Sequence, residues 1–518
     1  MKDLTSSVYN FENLIQGGFL YVDKTEYIWQ LIRPAKEMYF LSRPRRFGKS
    51  LTLSTLKAVF EGKRELFKGL AIYDKPYDWK PYPIIHLSFG DYNVSRDAKA
   101  ELPDYLLSKI RQQAQVHSVP LTEKTPGLCF GELIDRLAEK EQVVILVDEY
   151  DKPILDNLTS PDIRDIQKTL KGFYSVLKDR NAKERMLFIT GVSKFCHVSL
   201  FSDLNNLTDI TMDARYATML GYTQEEFEAN FADRIEATEQ KLALDHAEFL
   251  REVKAWYDGF RFHAASPSVY NPVSLAKFFE SGGEFRNYWF STGTPSFLMQ
   301  LVKSRDFDFE SSLNEPVPGI AFSAFEVDDL DPLTLLFQTG YVTIKGTVRK
   351  LGETWYELDF PNREVSGAFN TYVLNSYSEK TQTGVVKFAA ELTDALENGD
   401  VKRLRKTMEV FFAGIPYDVH HKNESNFQNI FFSLFRLLGI YIKAESRTND
   451  GRIDAVAETE KTVFIFEFKL DDDDSALEQI REKQYYKQYE LSGKKIFLNG
   501  VTFSTQTGQI ADWRTEEA

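Results

Sequence analysis

The stretch from Glu37 to Leu56 reads EMYFLSRPRRFGKSLTLSTL and decides the fold. Met38 to Leu41 have strand character, a basic loop follows, and small and apolar residues then open a helix. A loop that runs from a strand into a helix N-terminus presents main-chain N–H groups to an anion. A nucleoside triphosphate needs, in addition, a lysine at its β/γ oxygens and a hydroxyl on its Mg2+. Gly48, Lys49 and Ser50 supply these in order, and Arg45 and Arg46 add positive charge. Arg43 occupies the place of the first glycine of the usual P-loop pattern, so the loop must turn on Pro44 and the basic pair. Taken alone, GKS in a basic strand-to-helix loop can arise by chance.

A second element argues against chance. QVVILVDEYDKP, from Gln142 to Pro153, sets a five-residue apolar strand directly before Asp148 and Glu149. This is the arrangement in which a first carboxylate helps hold Mg2+ and a second polarises the attacking water. The alternative is a strand end capped by a solvated Asp-Glu turn. A third strand, RMLFITGVSK, ends in Thr190, Ser193 and Lys194, where a side chain can read a γ-phosphate. With Ile84 to Ser88, these runs alternate with longer helical stretches from Tyr21 to about Thr211, which predicts an α/β domain with a largely parallel, buried sheet.

YVDKT (Tyr21 to Thr25), RPRRFGKSL (Arg43 to Leu51), VDEYDKP (Val147 to Pro153) and TGVSKF (Thr190 to Phe195) together resemble the bacterial AAA-ATPase-like family. The resemblance covers most of residues 5 to 225. In that family RPRRFGKS stands in for the usual P-loop, so Arg43 fits the pattern. The resemblance implies a bacterial ATPase domain with ATP and Mg2+ as ligands, and it would place Asp23 and Lys24 near the nucleotide. WYDGF (Trp256 to Phe260), YNP (Tyr270 to Pro272) and TGTP (Thr292 to Pro295) share it, although aromatic packing and turns account for them equally well.

Near the other end, Gly451 to Leu470 read GRIDAVAETEKTVFIFEFKL. A β run from Ile453 to Glu458, a polar turn and a β run from Val463 to Leu470 predict an antiparallel hairpin. Alternation puts Phe464, Phe466, Phe468 and Leu470 on a core face, and Val463, Ile465, Glu467 and Lys469 on the other. A turn centred between Glu460 and Lys461 sets Asp454 opposite Glu467. Two opposed carboxylates repel unless a cation lies between them. Oxygen ligands select a hard cation, Mg2+ or Mn2+, and Lys469 on the same face can activate the attacking water. The alternative is an exposed sheet face with a salt bridge at Lys469.

An Asp followed by E-x-K on the next strand resembles the PD-(D/E)XK nuclease superfamily. Its αβββαβ core has equivalents in a helix near Glu424, the helix Ala476 to Tyr489 and the β run KIFLNGVTF. The resemblance implies phosphodiester hydrolysis at a metal held by Asp454, Glu467 and Glu424, although Glu424 serves as well as simple helix N-terminal charge. Gln479 and Lys483, one helical turn apart, face either substrate or solvent. Asp471 to Asp474 cap the following helix, and His420 and His421 read as a solvated loop.

The length of 518 residues sets the frame for several domains, at roughly 150 residues each. The expected layout is an AAA-like P-loop ATPase domain (1–225), a helical lid or extension (226–320), a winged-helix-like module (321–375), a helical linker (376–415) and an α/β PD-(D/E)XK nuclease-like domain (416–518). The middle module rests on the helix DPLTLLFQTG followed by the β runs YVTIKG and TWYELDFP, and reads as either a DNA contact or a spacer. The net charge of −14 excludes bulk electrostatic coating of nucleic acid, so any phosphate polymer must be gripped locally. Two cysteines and scattered histidines exclude a disulfide framework and a zinc site, and point to a cytoplasmic home. The N-terminus lacks a signal-peptide core, and the most apolar stretch, Asn429 to Ile442, is broken by Ser433 and Arg436, so no membrane partner is expected. The combined expectation is an ATP-binding, ATP-hydrolysing protein, a candidate homo-oligomer, whose nucleotide state controls a nuclease acting on DNA in preference to RNA. The competing expectation is a nucleotide-dependent switch or scaffold that binds without cutting.

Overall fold

The computed structural model describes residues 2–518 except 94–96, 159, 195–199, 202–203, 205, 291–311, 314, 323–330, 379–380, 416–429, 431–432, 440–442, 447–454, 472–474, 505 and 508. They form two compact units. The first comprises Met1–Trp289 with Val317–Asn362, the second Phe290–Pro316 with Arg363–Ala518.

The first unit is built on five strands: β1 (Glu37–Ser42), β2 (Ile84–Ser88), β3 (Val143–Asp148), β4 (Glu184–Gly191) and β5 (Thr208–Asp209). Their order is β2-β3-β4-β1-β5, and every pairing is parallel. Every residue of β3 and β4 is buried, which is why these strands read as unbroken apolar runs and not as alternating ones. Strand β5, only Thr208 and Asp209, has no apolar pattern to announce it. Because β4 lies between β1 and β3, the TGVS segment at its end emerges between the basic loop and the acidic pair. That crevice at the carboxyl ends of the strands is where open α/β sheets bind ligands.

The polar helical region after the sheet closes on aromatic residues. Helices Gln224–Leu242, His246–Tyr257 and Pro272–Glu280 bury Phe227, Phe231, Phe249, Tyr257, Tyr270 and Phe278 in one cluster. Thr223 and Glu226 form a reciprocal capping box on the first helix, a device worth about 1 kcal/mol. Asn271 of the YNP motif caps the third through Val273 N and Ser274 N. Residues 292–295, the TGTP motif, lie outside the described residues. Helix Pro332–Thr339 precedes an antiparallel hairpin of β7 (Thr343–Lys350) and β8 (Glu353–Asp359), and β6 (Val317–Pro318) pairs with β8. Nearly all of that helix is buried, so it is a packing element and offers no free recognition face.

The second unit carries β9 (Lys443–Ser446), β10 (Ala455–Glu458), β11 (Thr462–Leu470), β12 (Lys495–Phe503) and β13 (Ile510–Glu517), in the order β13-β12-β11-β10-β9. Only β11 and β12 are parallel, joined through helix Ser475–Lys483. The hairpin register, Ala455 with Phe466 through Glu458 with Val463, is that of a turn centred between Glu460 and Lys461. Both faces of β11 are covered. On the phenylalanine face Phe464 stacks on Phe497, Phe466 meets Phe435, and Phe412 from helix Val401–Ala413 meets Phe503. Under helix Ser475–Lys483, Val463 and Ile465 pack with Leu477, Ile480, Ile496 and Leu498. The α-helix expected over Ala476 to Tyr489 ends at Lys483; Gln484 takes a left-handed conformation and a 3-10 segment follows. Strand β13 was not expected from its polar sequence. It is pinned by the fully buried Asn499, whose Oδ1 accepts from Thr515 Oγ1 at 2.7 Å and Trp513 Nε1 at 3.3 Å.

Candidate functional site

Gly48 sets the geometry of the basic loop. Its φ of 96° lies in the left-handed region that favours glycine, and the chain enters helix Lys49–Phe60 directly from it. Lys49 is buried, with Nζ 2.9 Å from both Arg43 O and Pro44 O. Burial lowers its pKa, and the charge of Asp148 opposes that shift. Ser50 Oγ donates to Asp148 Oδ2 at 2.6 Å. The other oxygen, Asp148 Oδ1, is buried with no hydrogen-bond partner among the described residues, and desolvation pushes the carboxyl upward. A hydroxyl and a carboxylate in contact, one carboxylate oxygen unpaired, form a hard-oxygen donor set suited to Mg2+. Glu149 follows at φ 54°, a conformation that costs a non-glycine residue about 1 kcal/mol. That turn separates two consecutive acids, leaving the Glu149 carboxylate beside Gly90, just beyond β2.

Arg43, 1 % exposed, solves the problem of the missing glycine. Its guanidinium donates to Ser42 O, Thr211 O and Tyr216 O, and lies 4.1 Å from the centre of the Phe262 ring. Those bonds make it a pin for the loop. Arg45 is exposed, whereas Arg46 donates to Tyr288 O and Arg45 O accepts from Trp289 Nε1 at 3.2 Å. Phe47 meets Phe260 at 4.8 Å and Phe262 at 5.4 Å, edge to face. The WYDGFRF segment therefore buttresses the loop through aromatic packing.

The remaining motif residues divide. Thr190 Oγ1 is buried without a partner among the described residues. Ser193 Oγ donates to Asp151, and Lys194 forms an ion pair with Asp209 at 2.7 Å. Asp23 accepts from Thr25 and Ala71 N, while Lys24 binds Glu226 and Thr218 O. Both serve to tie the N-terminal segment down.

In the second unit Glu467 is buried, and its Oε1 lies 3.7 Å from Lys469 Nζ. Lys469 also donates to Gln479 Oε1 at 2.8 Å, so Gln479 faces the E-x-K pair while Lys483 is exposed. A buried Glu467 rules out the exposed-face alternative for that residue. Asp454, Glu424, His420 and His421 lie outside the described residues, and among the described residues no three His, Cys, Asp or Glu converge on a metal position.

Comparison with known proteins adds the family. A model described as a predicted AAA-ATPase matches residues 6–201, and one for the PD-(D/E)XK nuclease superfamily matches residues 422–513. The chain is 39% identical over 530 residues, 99% of each protein, to an "Uncharacterized protein in vnfD 5'region" of Azotobacter chroococcum mcd 1. It belongs to the predicted AAA-ATPase family. The C-terminal domain of this AAA-ATPase-like protein is of the PD-(D/E)XK nuclease superfamily. The Walker-type ATPase of Pyrococcus abyssi aligns at 12% identity and a TM-score of 0.31, over 70% of this chain and 96% of that one. No helix among the described residues is long and apolar enough to cross a membrane.

Sequence reasoning overlooked two residues that the AAA-ATPase-like unit uses. Asp151, buried, accepts from Ser193 N at 2.8 Å and Val192 N at 3.0 Å, and Gln338 Oε1 accepts from Lys194 N at 2.7 Å. Asp151 had a signal, a further acid two residues beyond the Asp-Glu pair; Gln338, in an apolar helix far along the chain, had none.

Proposed function

We propose that this protein is an ATP-hydrolysing switch whose nucleotide state controls a Mg2+-dependent nuclease in its C-terminal domain. The observation that carries the nucleotide half is the 2.6 Å contact of Ser50 Oγ with Asp148, beside an unpaired buried carboxylate oxygen. Lys49 would leave its two loop carbonyls for the β/γ oxygens, with Arg45 and Arg46 near the phosphates. Ser50 and Asp148 would hold the metal, and Glu149 would orient the attacking water. Water attacks the γ-phosphorus, the β–γ bridging P–O bond breaks, ADP takes the electron pair and Glu149 receives the proton. Thr190 would donate to the γ-phosphate.

In the nuclease domain, Glu467 with Asp454 and Glu424 would hold Mg2+ or Mn2+, which supplies charge stabilisation for in-line displacement at a phosphodiester. Lys469, fixed by Gln479, would assist the water, and the leaving oxygen departs protonated. DNA is the favoured substrate, with self-association across ATPase units, in a bacterial cytoplasm consistent with the scarcity of cysteine. The layout we propose keeps the ATPase within 1–225, the lid within 226–320, the winged-helix-like module within 321–375, the helices of 376–415 and the nuclease within 416–518. The test is cleavage of DNA and RNA panels with Mg2+, with and without ATP. Cleavage that needs metal and responds to ATP supports the reading; cleavage unaffected by chelator or by ATP sinks it.

A further inference from the structure

Asp151 takes no part in the chemistry above, yet it is a carboxylate only 1 % exposed. Its Oδ2 accepts three hydrogen bonds: from Val192 N at 3.0 Å, Ser193 N at 2.8 Å and Ser193 Oγ at 2.8 Å. Next to it, Tyr150 N donates to Thr190 O at 3.1 Å and the Tyr150 hydroxyl donates to Ser193 O at 3.1 Å. Gly191 allows this approach, since a β-carbon there would stand 2.6 Å from Asp151 Oδ1 and 2.7 Å from the Tyr150 ring. VDEYD and TGVS are thus two halves of one lock. From the other side Arg43 N donates to Gly191 O at 3.2 Å and Ser42 Oγ to Val192 O at 2.8 Å. The end of β4 is therefore held by both the acidic segment and the start of the basic loop.

That lock has one side chain to deliver. Val147 pairs with Ile189 on parallel strands, so Asp148 and Thr190, each one residue further, project to the same face. The Thr190 hydroxyl is buried and has no partner among the described residues. A buried hydroxyl without a partner is destabilising, a penalty that a ligand oxygen would remove.

We propose that Asp151 is a positioning residue: by clamping Val192 and Ser193 it fixes Thr190 Oγ1 beside Asp148, where that hydroxyl donates to the γ-phosphate of ATP. The inference rests on the nucleotide reading. It requires that Asp151 act through Thr190, so the two must not contribute independently.

The experiment compares Asp151→Asn, Thr190→Val and the double variant in the full chain, measuring ATP affinity by titration and kcat and KM for hydrolysis. Each single variant is expected to lower kcat about 30-fold while ATP affinity changes less than about threefold, and the double to be no worse than the poorer single. Losses that multiply, or affinity that falls as far as kcat, overturn the proposal. Should Asp151→Asn fail to fold, Ser193→Ala removes one donor only; an approximately threefold kcat loss that disappears in the Thr190→Val background supports the lock, and a loss that persists there overturns it. Lys49→Ala separates the two levels. If it leaves ATP affinity unchanged the nucleotide reading fails, whereas abolished binding together with multiplying losses condemns the lock alone.

Discussion

Each candidate site sets a lysine near a carboxylate, and the two lysines are placed differently. Lys49 rests on two carbonyls of its own loop, and among the described residues no carboxylate stands in ion-pair range of it. Lys469 is held by Gln479 and lies 3.7 Å from Glu467. Carbonyls are neutral acceptors, and a phosphate oxygen that replaces them adds the attraction of a full opposite charge to the bond from the ammonium. An amide-fixed lysine next to a buried acid is already in position for a reaction. Under the proposed function, the difference suits Lys49 to binding and Lys469 to chemistry.

The largest effects should break this comparison if it is wrong. Lys469→Ala is expected to abolish metal-dependent cleavage while leaving ATP affinity within about twofold; surviving cleavage would remove the nuclease assignment. Lys49→Ala is expected to weaken ATP binding by about 100-fold or more, read by titration calorimetry, with thermal stability in the absence of nucleotide little changed. If instead Lys49→Ala leaves ATP binding intact, the lysine is merely a loop pin like Arg43.

Glu184, at the start of β4, sharpens the contrast by having neither arrangement. It is fully buried, both oxygens lack a hydrogen-bond partner among the described residues, and burial raises its pKa from 4.5 to about 7, against the pull of Lys36. A raised carboxyl pKa means the folded state holds the proton more tightly than the unfolded one. Its stabilising contribution is complete below pH 4.5 and is lost as the pH rises through 7, an amount of ~3 kcal/mol at 1.36 kcal/mol per pH unit. Glu184→Gln should therefore unfold at a higher temperature than the parent at pH 8 and show no such advantage at pH 5. Equal stabilities at pH 8 would mean the acid finds a partner.

The parts visible in the sequence share a physical cause. Strands β3 and β4 are buried along their whole length and so carry contiguous apolar runs, and GKS and the Asp-Glu pair are local patterns that chemistry constrains at fixed spacing. The hairpin register followed from a polar turn and strict alternation. What stayed hidden depends on contacts distant in sequence. Strand β13 contains IADWRTEE, and its place is set by the Asn499, Trp513 and Thr515 network and by the single buried Trp513 ring against Phe466, with no apolar alternation to announce it. Arg43 stands where the usual pattern has its first glycine, and nothing local tells that three main-chain carbonyls claim its guanidinium.

Gln479 gives the smallest predicted effect and the finest test of the comparison. A solvated helix face was the simpler reading of it, since a glutamine one turn from a lysine on a polar helix carries no sign of burial. The fold directs it inward because Leu477 and Ile480 on the same helix pack against Val463 and Ile465 of β11, which brings position 479 over Lys469. The carboxamide accepts one hydrogen bond from an ammonium that has three to give, so it steers the lysine without neutralising it. Gln479→Ala should then lower cleavage about tenfold, the equivalent of one charge-assisted bond, and Gln479→Glu should lower it further by pairing a full negative charge with Lys469. A merely solvated residue would give wild-type cleavage in both variants. If the glutamate variant is as active as the parent, Lys469 works as a fixed charge and needs no orientation, and the distinction drawn between the two lysines narrows to the groups that hold them.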